Sequence, residues 1–203
     1  MIPIIKNNFS TVAIACSGGA DSMALLDFYR RGKKSIRVLH FNHGTSFGER
    51  AQILVEDYCA VYQLPLAVGT LQATAGPGES LEAFWRTQRY TWFRTQTDLP
   101  ILTAHHLDDC VENWVMTSLH GRPELIPCHN VERNIWRPLL LTRKSQLEAW
   151  CANKSVPFLH DESNDNTQFM RNYVRHTMMP HILHVNPGIH KTITKLIKSQ
   201  LSN

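Results

Sequence analysis

An α/β fold is what this sequence predicts: doubly wound, with a mostly parallel five-stranded sheet and helices on both faces. Two observations carry the prediction. Apolar, β-rich runs alternate with longer stretches whose apolar residues recur at helical spacing. Successive runs are also separated by enough chain for one helix each. Parallel strands joined that way need right-handed crossovers, which lay the helices against the sheet.

The first strand is Thr11 to Cys16 (TVAIAC), ending at a Ser-Gly-Gly turn. Asp21 to Arg31 follows as a helix, with Met23, Leu25, Leu26 and Phe28 as apolar positions. Ile36 to Asn42 (IRVLHFN) is the second strand. Glu49 to Gln63 is the second helix, its apolar face supplied by Ile53, Leu54, Val55, Tyr58, Cys59 and Val61. Leu66 to Leu71 is the third strand, and Ser80 to Thr97 a third helix rich in arginine and aromatic residues. Pro100 to Ala104 (PILTA) is the fourth strand, followed by a helix from Asp108 to Leu119. A turn-rich stretch, Gly121 to Asn134, leads to a fifth short strand at Ile135 to Leu140 and a capped helix from Thr142 to Lys154. Residues 1–160 are read as one domain, and 161–203 as a short, helical, basic appendage that completes it.

Hydrophobic residues make up 43% of the chain and charged ones 19%, enough to bury a core and too apolar for a disordered polymer. No apolar run reaches about 18 residues, so no membrane span is expected. The opening MIPIIKNNFS holds no signal-peptide h-region. A soluble, cytoplasmic protein without a membrane partner is expected. Five cysteines (Cys16, Cys59, Cys110, Cys128, Cys151) form no C-x-x-C pair and read as free thiols, which argues against structural zinc or an iron–sulfur cluster. The net charge is +4, with Arg171, Arg175, His176, His181, Lys191, Lys195 and Lys198 clustered near the end. Such a face allows a phosphate-bearing partner without requiring one, since a solvated helix has the same composition.

Ser17-Gly18-Gly19-Ala20-Asp21-Ser22 stands between an apolar strand and an amphipathic helix, the context of a phosphate-binding loop. Glycine lets the backbone approach an anion, and the helix N-terminus offers unpaired N–H groups with a favourable dipole. Ser17 and Ser22 can add hydroxyl donors, and Asp21 can reach a magnesium ion held by the phosphates. The lysine of the Walker loop is missing, and so is the G-x-G-x-x-G fingerprint. A plain turn with Asp21 or Ser22 as helix N-cap shares the composition, but the whole hexapeptide behind a strand favours the phosphate loop.

At the end of the fourth strand stands Ala104-His105-His106-Leu107-Asp108-Asp109, with Glu112 three residues on. Ligands of open parallel sheets bind outside the carboxyl ends of the strands where strand order reverses. If strands one and four are neighbours, this cluster faces the phosphate loop. Asp109 and Glu112 share one helix face and can ligate magnesium, hold a cationic amine or take its proton. Acids in a first turn can also do no more than complement the helix dipole.

The hexapeptide resembles the S-G-G-x-D-S signature of the PP-loop family of N-type ATP pyrophosphatases, which hold with it the pyrophosphate that ATP loses on adenylation. The order S-G-G-x-D-S, N-H-G (Asn42, His43, Gly44), L-E-A-x-x-R-x-x-R-Y (Leu81 to Tyr90) and A-H-H-x-D-D-x-x-E closely resembles the tRNA(Ile)-lysidine synthetases. Arg137-Pro138-Leu139-Leu140, the E-S-N-D segment Glu162 to Asp165, and Arg171-Asn172-Tyr173-Val174-Arg175-His176 add to the likeness, which spans about residues 11 to 187. The family has an arginine shortly after N-H-G where Thr45-Ser46-Phe47 stands here. Its Gly-rich stretch is shortened to Gly121-Arg122-Pro123-Glu124.

The resemblance implies a PP-loop ATPase fold of the adenine nucleotide α-hydrolase type. It also implies a ligase that adenylates the C2 oxygen of the wobble cytidine of isoleucine tRNA, then joins the ε-amine of free L-lysine to it, releasing AMP. ATP with Mg2+ is the implied cofactor pair, bound by Ser17, Gly18, Gly19, Ala20, Asp21 and Ser22, with Asp21 as the metal candidate. Arg86 and Arg89 would hold the ATP-derived phosphate or the activated base. Asp109 and Glu112 would receive the lysine amine, one of them as base, and His105 would support the adenylated intermediate. Arg171 and Arg175 would clamp phosphates beside the wobble base of the anticodon loop. The family's tRNA-binding C-terminal domains are expected to be absent, which leaves room for a homodimer or a partner protein. Two other readings share these residues: a PP-loop enzyme adenylating another RNA or small-molecule acceptor, and a tRNA- or nucleotide-binding protein that has lost turnover. The lack of C-x-x-C argues against thiolation.

Overall fold

Val12, Ala13 and Ile14 are all fully buried, so β1 (Thr11–Ala15) is apolar on both faces and lies inside the sheet. The computed structural model describes residues 2–76, 78 and 80–202, with Glu82 by its backbone alone. β1 pairs in parallel with β2 (Ser35–Asn42) on one side and β4 (Ile101–Leu102) on the other. β3 (Leu66–Thr70) extends the sheet beyond β2, and β6 (Ile135–Trp136) extends it beyond β4. The order is β3-β2-β1-β4-β6-β5, with only β5 (His129–Asn130) antiparallel to its neighbour.

The sheet therefore has one strand more than expected. β5 escaped the sequence reading because two residues inside a turn-rich stretch show no alternation. The expected strand from Ile135 to Leu140 stops after two residues; Leu139 and Leu140 are fully buried in the turn that follows. β4 is likewise shorter than Pro100 to Ala104, though Thr103 still donates its N–H to the Trp136 carbonyl at 2.9 Å.

Helices cover both faces. α1 (Ala20–Arg31), α2 (Ser46–Val61) and α5 (Lys144–Lys154) share a core in which Met23, Leu25, Leu26, Val55, Leu147 and Cys151 pack on β1 and β2. Asp27, 1% exposed, ties these three helices together by accepting from Arg30, Arg31, Tyr58 and Trp150. α3 (Leu81–Gln96) covers the opposite face through Tyr90 and Phe93, which meet Ala13, Leu39, Ile101 and Ile135.

α4 (Leu107–Leu119) carries a second core, built with Val174, Met179, Ile189, Ile193 and Ile197. The last three form one stripe of α8 (Ile189–Ser202) at spacing four, each buried for roughly 1.5–3 kcal/mol as an upper figure. Between α5 and α8 the chain makes a 3-10 turn at Glu162–Asp165, then α6 (Met170–Tyr173), a π-helical turn at Val174–Met178, and α7 (Met179–Val185). Arg171 to Met179 is thus helical but not one regular α-helix; π-turns of this kind concentrate at functional sites. All five cysteines are free thiols. Among the described residues no helix is long and apolar enough to cross a membrane.

Candidate functional site

The topological switch lies where β1 separates β2 from β4, and the loops leaving β1 and β4 face each other there. After β1 the chain turns through Gly18, whose φ of +82° is strained for any residue with a Cβ. A Cβ at this position would also stand 3.0 Å from the Ala51 Cβ, so α2 packs directly on the loop. Gly19 is the N-cap of α1, and no side chain caps the helix, which leaves its first N–H groups for an anion.

Neither Asp21 nor Ser22 is the N-cap. Ser22 is buried, and its hydroxyl bonds inside the loop: it accepts from the Ser17 N–H at 3.1 Å and donates to the Gly19 carbonyl at 3.0 Å. Ser22 therefore also shapes the loop, and its Oγ lies 3.1 Å from the Oγ of the exposed Ser17, so the two hydroxyls read as phosphate donors stand side by side. The Leu159 N–H donates to the Gly18 carbonyl at 3.0 Å and stitches the segment after α5 to the loop. Asp21 has a buried Oδ1 without a hydrogen-bond partner.

After β4, His106 caps α4. Its Nδ1 accepts from the Asp109 N–H at 3.4 Å, and Asp109 Oδ2 accepts from the His106 N–H at 2.9 Å. Asp109 thus serves the helix terminus, as the dipole argument allowed. Its other oxygen does not: Asp109 Oδ1 faces Arg171 Nη2 at 3.1 Å and Arg175 Nη2 at 3.4 Å. Glu112 is bound by Arg175 Nε at 2.7 Å and Nη2 at 2.9 Å, and by Arg171 Nε at 3.3 Å. The two arginines, four apart, turn inward to the acids and do not stand as free cations. Their side chains remain 31% and 21% exposed, so donor groups are left for a further partner.

His106 Nε2 lies 3.5 Å from Asp21 Oδ2 and 3.6 Å from Asp109 Oδ2, which links the phosphate loop to the acid pair. Burial works against charge on His106, but Asp109, Asp21 and Asp108 outweigh it and raise its pKa. Asp109 itself is held at about 2: burial pushes upward, and His106 and Arg171 more than reverse it. His105 behaves oppositely. Burial, helped by Arg137 and Arg171, pushes it down to about 3, so it is a neutral ring, with Nδ1 3.0 Å from Thr103 Oγ1.

A cavity of about 730 Å³ opens between these elements, within the range that takes a nucleotide-sized ligand. Ser17, Asp21, Ser22, Arg89, His105, Asp109, Arg171 and Arg175 line it. Glu112 is buried and meets the cavity's edge through the arginines. Arg86 is exposed on α3 with its guanidinium 5.0 Å from the Tyr90 ring centre, so it stands at the rim and not inside.

Sequence reasoning missed several lining groups. His43 stacks on Trp85 with ring centres 5.1 Å apart, and burial and Arg89 push its pKa down to about 4. The N-H-G motif contained that residue, but its stacking partner lies two elements away. Asn42 in the same motif is structural: its Oδ1 accepts from the Gly44 N–H at 2.8 Å. Asn172 bonds the Ser163 and Asn166 carbonyls at 2.9 and 3.0 Å, which ties the E-S-N-D segment to R-N-Y-V-R. His106 and Asp108 stood in the quoted motif without assigned roles.

The model of the PP-loop domain family matches residues 3–182. The tRNA(Ile)-lysidine synthase of Haemophilus ducreyi is 29% identical over 196 residues, covering 92% of this chain and 45% of that protein. The tRNA(Ile)-lysidine synthase of Chromobacterium violaceum is 32% identical over 186 residues, covering 83% and 42%. That of Nitratidesulfovibrio vulgaris is 35% identical over 196 residues, covering 86% and 55%. The chain spans about half the length of the curated relatives it matches. Among solved structures, an NH3-dependent NAD synthetase from Campylobacter jejuni superposes with a TM-score of 0.52 at 11% identity, over 96% of this chain and 86% of that one, a likeness of fold alone.

Proposed function

The chain belongs to the PP-loop domain family, and from that premise we propose that it adenylates the wobble cytidine of an isoleucine tRNA and joins free lysine to it. One observation carries the reading: His106 stands within 3.6 Å of both Asp21 of the phosphate loop and Asp109 of the acid pair. ATP phosphates and an incoming amine would therefore meet in one cavity. The relatives named tRNA(Ile)-lysidine synthase support the choice of acceptor.

In the first step the cytidine C2 oxygen attacks the α-phosphorus of ATP and pyrophosphate leaves. Ser17 and the uncapped α1 N-terminus would hold the departing phosphates. The orphaned Asp21 Oδ1 fits a magnesium ion, which would supply charge neutralisation at the phosphates. No cluster of three ligating side chains exists among the described residues, so such an ion would take its other ligands from phosphate oxygens and water.

In the second step the neutral ε-amine of lysine attacks C2 and AMP leaves with the electron pair of the C–O bond. Asp109 and Glu112 would bind the amine, and one would take its proton. Their pairing with Arg171 and Arg175 gives the cluster no net formal charge, so the acids do not repel the ATP phosphates before the amine arrives. The exposed part of each guanidinium would reach RNA phosphate beside the wobble base. Arg89 and the neutral His105 would face the activated base, with Arg86 at the rim. These substrates belong to the cytoplasm, and the tRNA would be recognised at its anticodon loop, whose unstacked bases are readable.

The test is direct. Incubation with ATP, isoleucine tRNA and labelled lysine should yield AMP, pyrophosphate and labelled RNA in equal amounts. AMP release without label in the RNA would mean that the activated intermediate passes to water and that lysine is not its amine, and absence of both would remove the reading.

A further inference from the structure

We propose that His190, on α8 and beyond the stretch matched by the family, is a positioning residue of this site. The proposal deepens the reading above and rests on it for its turnover readout alone. α8 buries an isoleucine stripe against α4, and His190 is the polar side chain within that contact, 7% exposed. A buried polar group among aliphatic ones needs a partner. His190 Nε2 finds it in Asp108 Oδ1 at 3.1 Å.

Asp108 is also gripped from a further element, α5. It accepts from the Lys144 N–H at 2.8 Å and from Arg143 Nε at 3.1 and 3.3 Å, both at the start of α5. Its Oδ2 faces His106 Nδ1 at 3.7 Å. That is too long for a hydrogen bond, but at this contact distance a carboxylate held by its own partners limits where the ring can turn. The other edge of the same ring meets Asp21 and Asp109. His190 thus holds the carboxylate that aims His106 between the phosphate loop and the acid pair. A partner that fixes the orientation of a site histidine acts through it without touching substrate.

Two variants separate positioning from packing. His190→Leu keeps the apolar contact of α8 and removes the donor; His190→Gln keeps a donor for Asp108. We expect His190→Leu to lower kcat about tenfold, the lower end for lost outer-shell partners, with the ATP KM little changed and His190→Gln recovering most of the rate. The second readout needs no turnover. In 15N-histidine NMR of the full chain, the ring signals of His106, assigned by their loss in His106→Asn, should shift in His190→Leu and return in His190→Gln. Unchanged His106 signals in His190→Leu overturn the proposal, as does a wild-type kcat in that variant. If the wild-type protein shows no lysine-dependent product, the proposed reaction fails, and the His106 signals alone decide the role of His190.

Discussion

Glu112→Gln removes one charge from the centre of the four-residue ion cluster and keeps the shape of the side chain. Glu112 is 4% exposed and accepts three N–H bonds from Arg171 and Arg175, at 2.7, 2.9 and 3.3 Å. Breaking one side of a buried pair costs about 3–5 kcal/mol. Here the arginines are partly exposed, and glutamine retains one acceptor oxygen, so we expect about 2–3 kcal/mol. For a chain of this length each kcal/mol moves Tm by roughly 2–4 °C, which predicts a fall of about 4–12 °C in a thermal melt. The same variant should raise the lysine KM or slow AMP displacement more than it slows pyrophosphate release, because the amine is the ligand that needs the acid. A melt within about 2 °C of wild type, together with normal lysine use, would refute both the ion cluster and the amine site.

Ser17→Ala and Asp21→Ala should each slow AMP formation roughly ten- to a hundredfold while leaving the melt near wild type, since each removes a contact worth about 1.5–3 kcal/mol to the phosphates or to the ion they hold; near-normal AMP release from both would move the ATP site elsewhere. Asp109 is pushed up by burial, but His106 and Arg171 more than reverse that and depress its pKa from near 3.8 to about 2. Its contribution to stability is therefore present above about pH 4 and lost as pH falls through about 2. A Tm-against-pH series should show that acid slope, and Asp109→Asn should flatten it. Arg171→Ala combined with Arg175→Ala should raise the tRNA KM and flatten its salt dependence, and should also lower Tm because Asp109 and Glu112 lose their partners. An isolated anticodon stem-loop should be modified almost as well as whole tRNA; an inert stem-loop with normal tRNA binding by the double variant would place recognition on other residues.

Much of the fold was legible because the information that specifies it is local. The apolar runs at Thr11, Ile36 and Leu66 and the helical periods after them set strands and helices to within a few residues. Gly18 stands where only a residue without a Cβ adopts φ of +82° with α2 this close, so S-G-G marks a loop whatever surrounds it. The sequence by itself also determined that His105 to Glu112 opens a helix at a strand end, since capping and dipole preferences act over one turn. Partner choice was not local. Arg171 and Arg175 sit 59 to 66 positions from the acids they bind, and His190 sits 82 from Asp108. A cation's spacing on its own helix says which face it shares, not whether that face meets phosphate, solvent or carboxylate. Ser22 stands in the hexapeptide as one more hydroxyl, and only the turn of the loop brings it under the Ser17 N–H. β5 exists only because β6 offers it an edge to pair with. Tertiary packing decided these points, because burial makes an unpaired charge or an unpaired backbone group too costly to leave, and only the assembled core shows which groups are buried together.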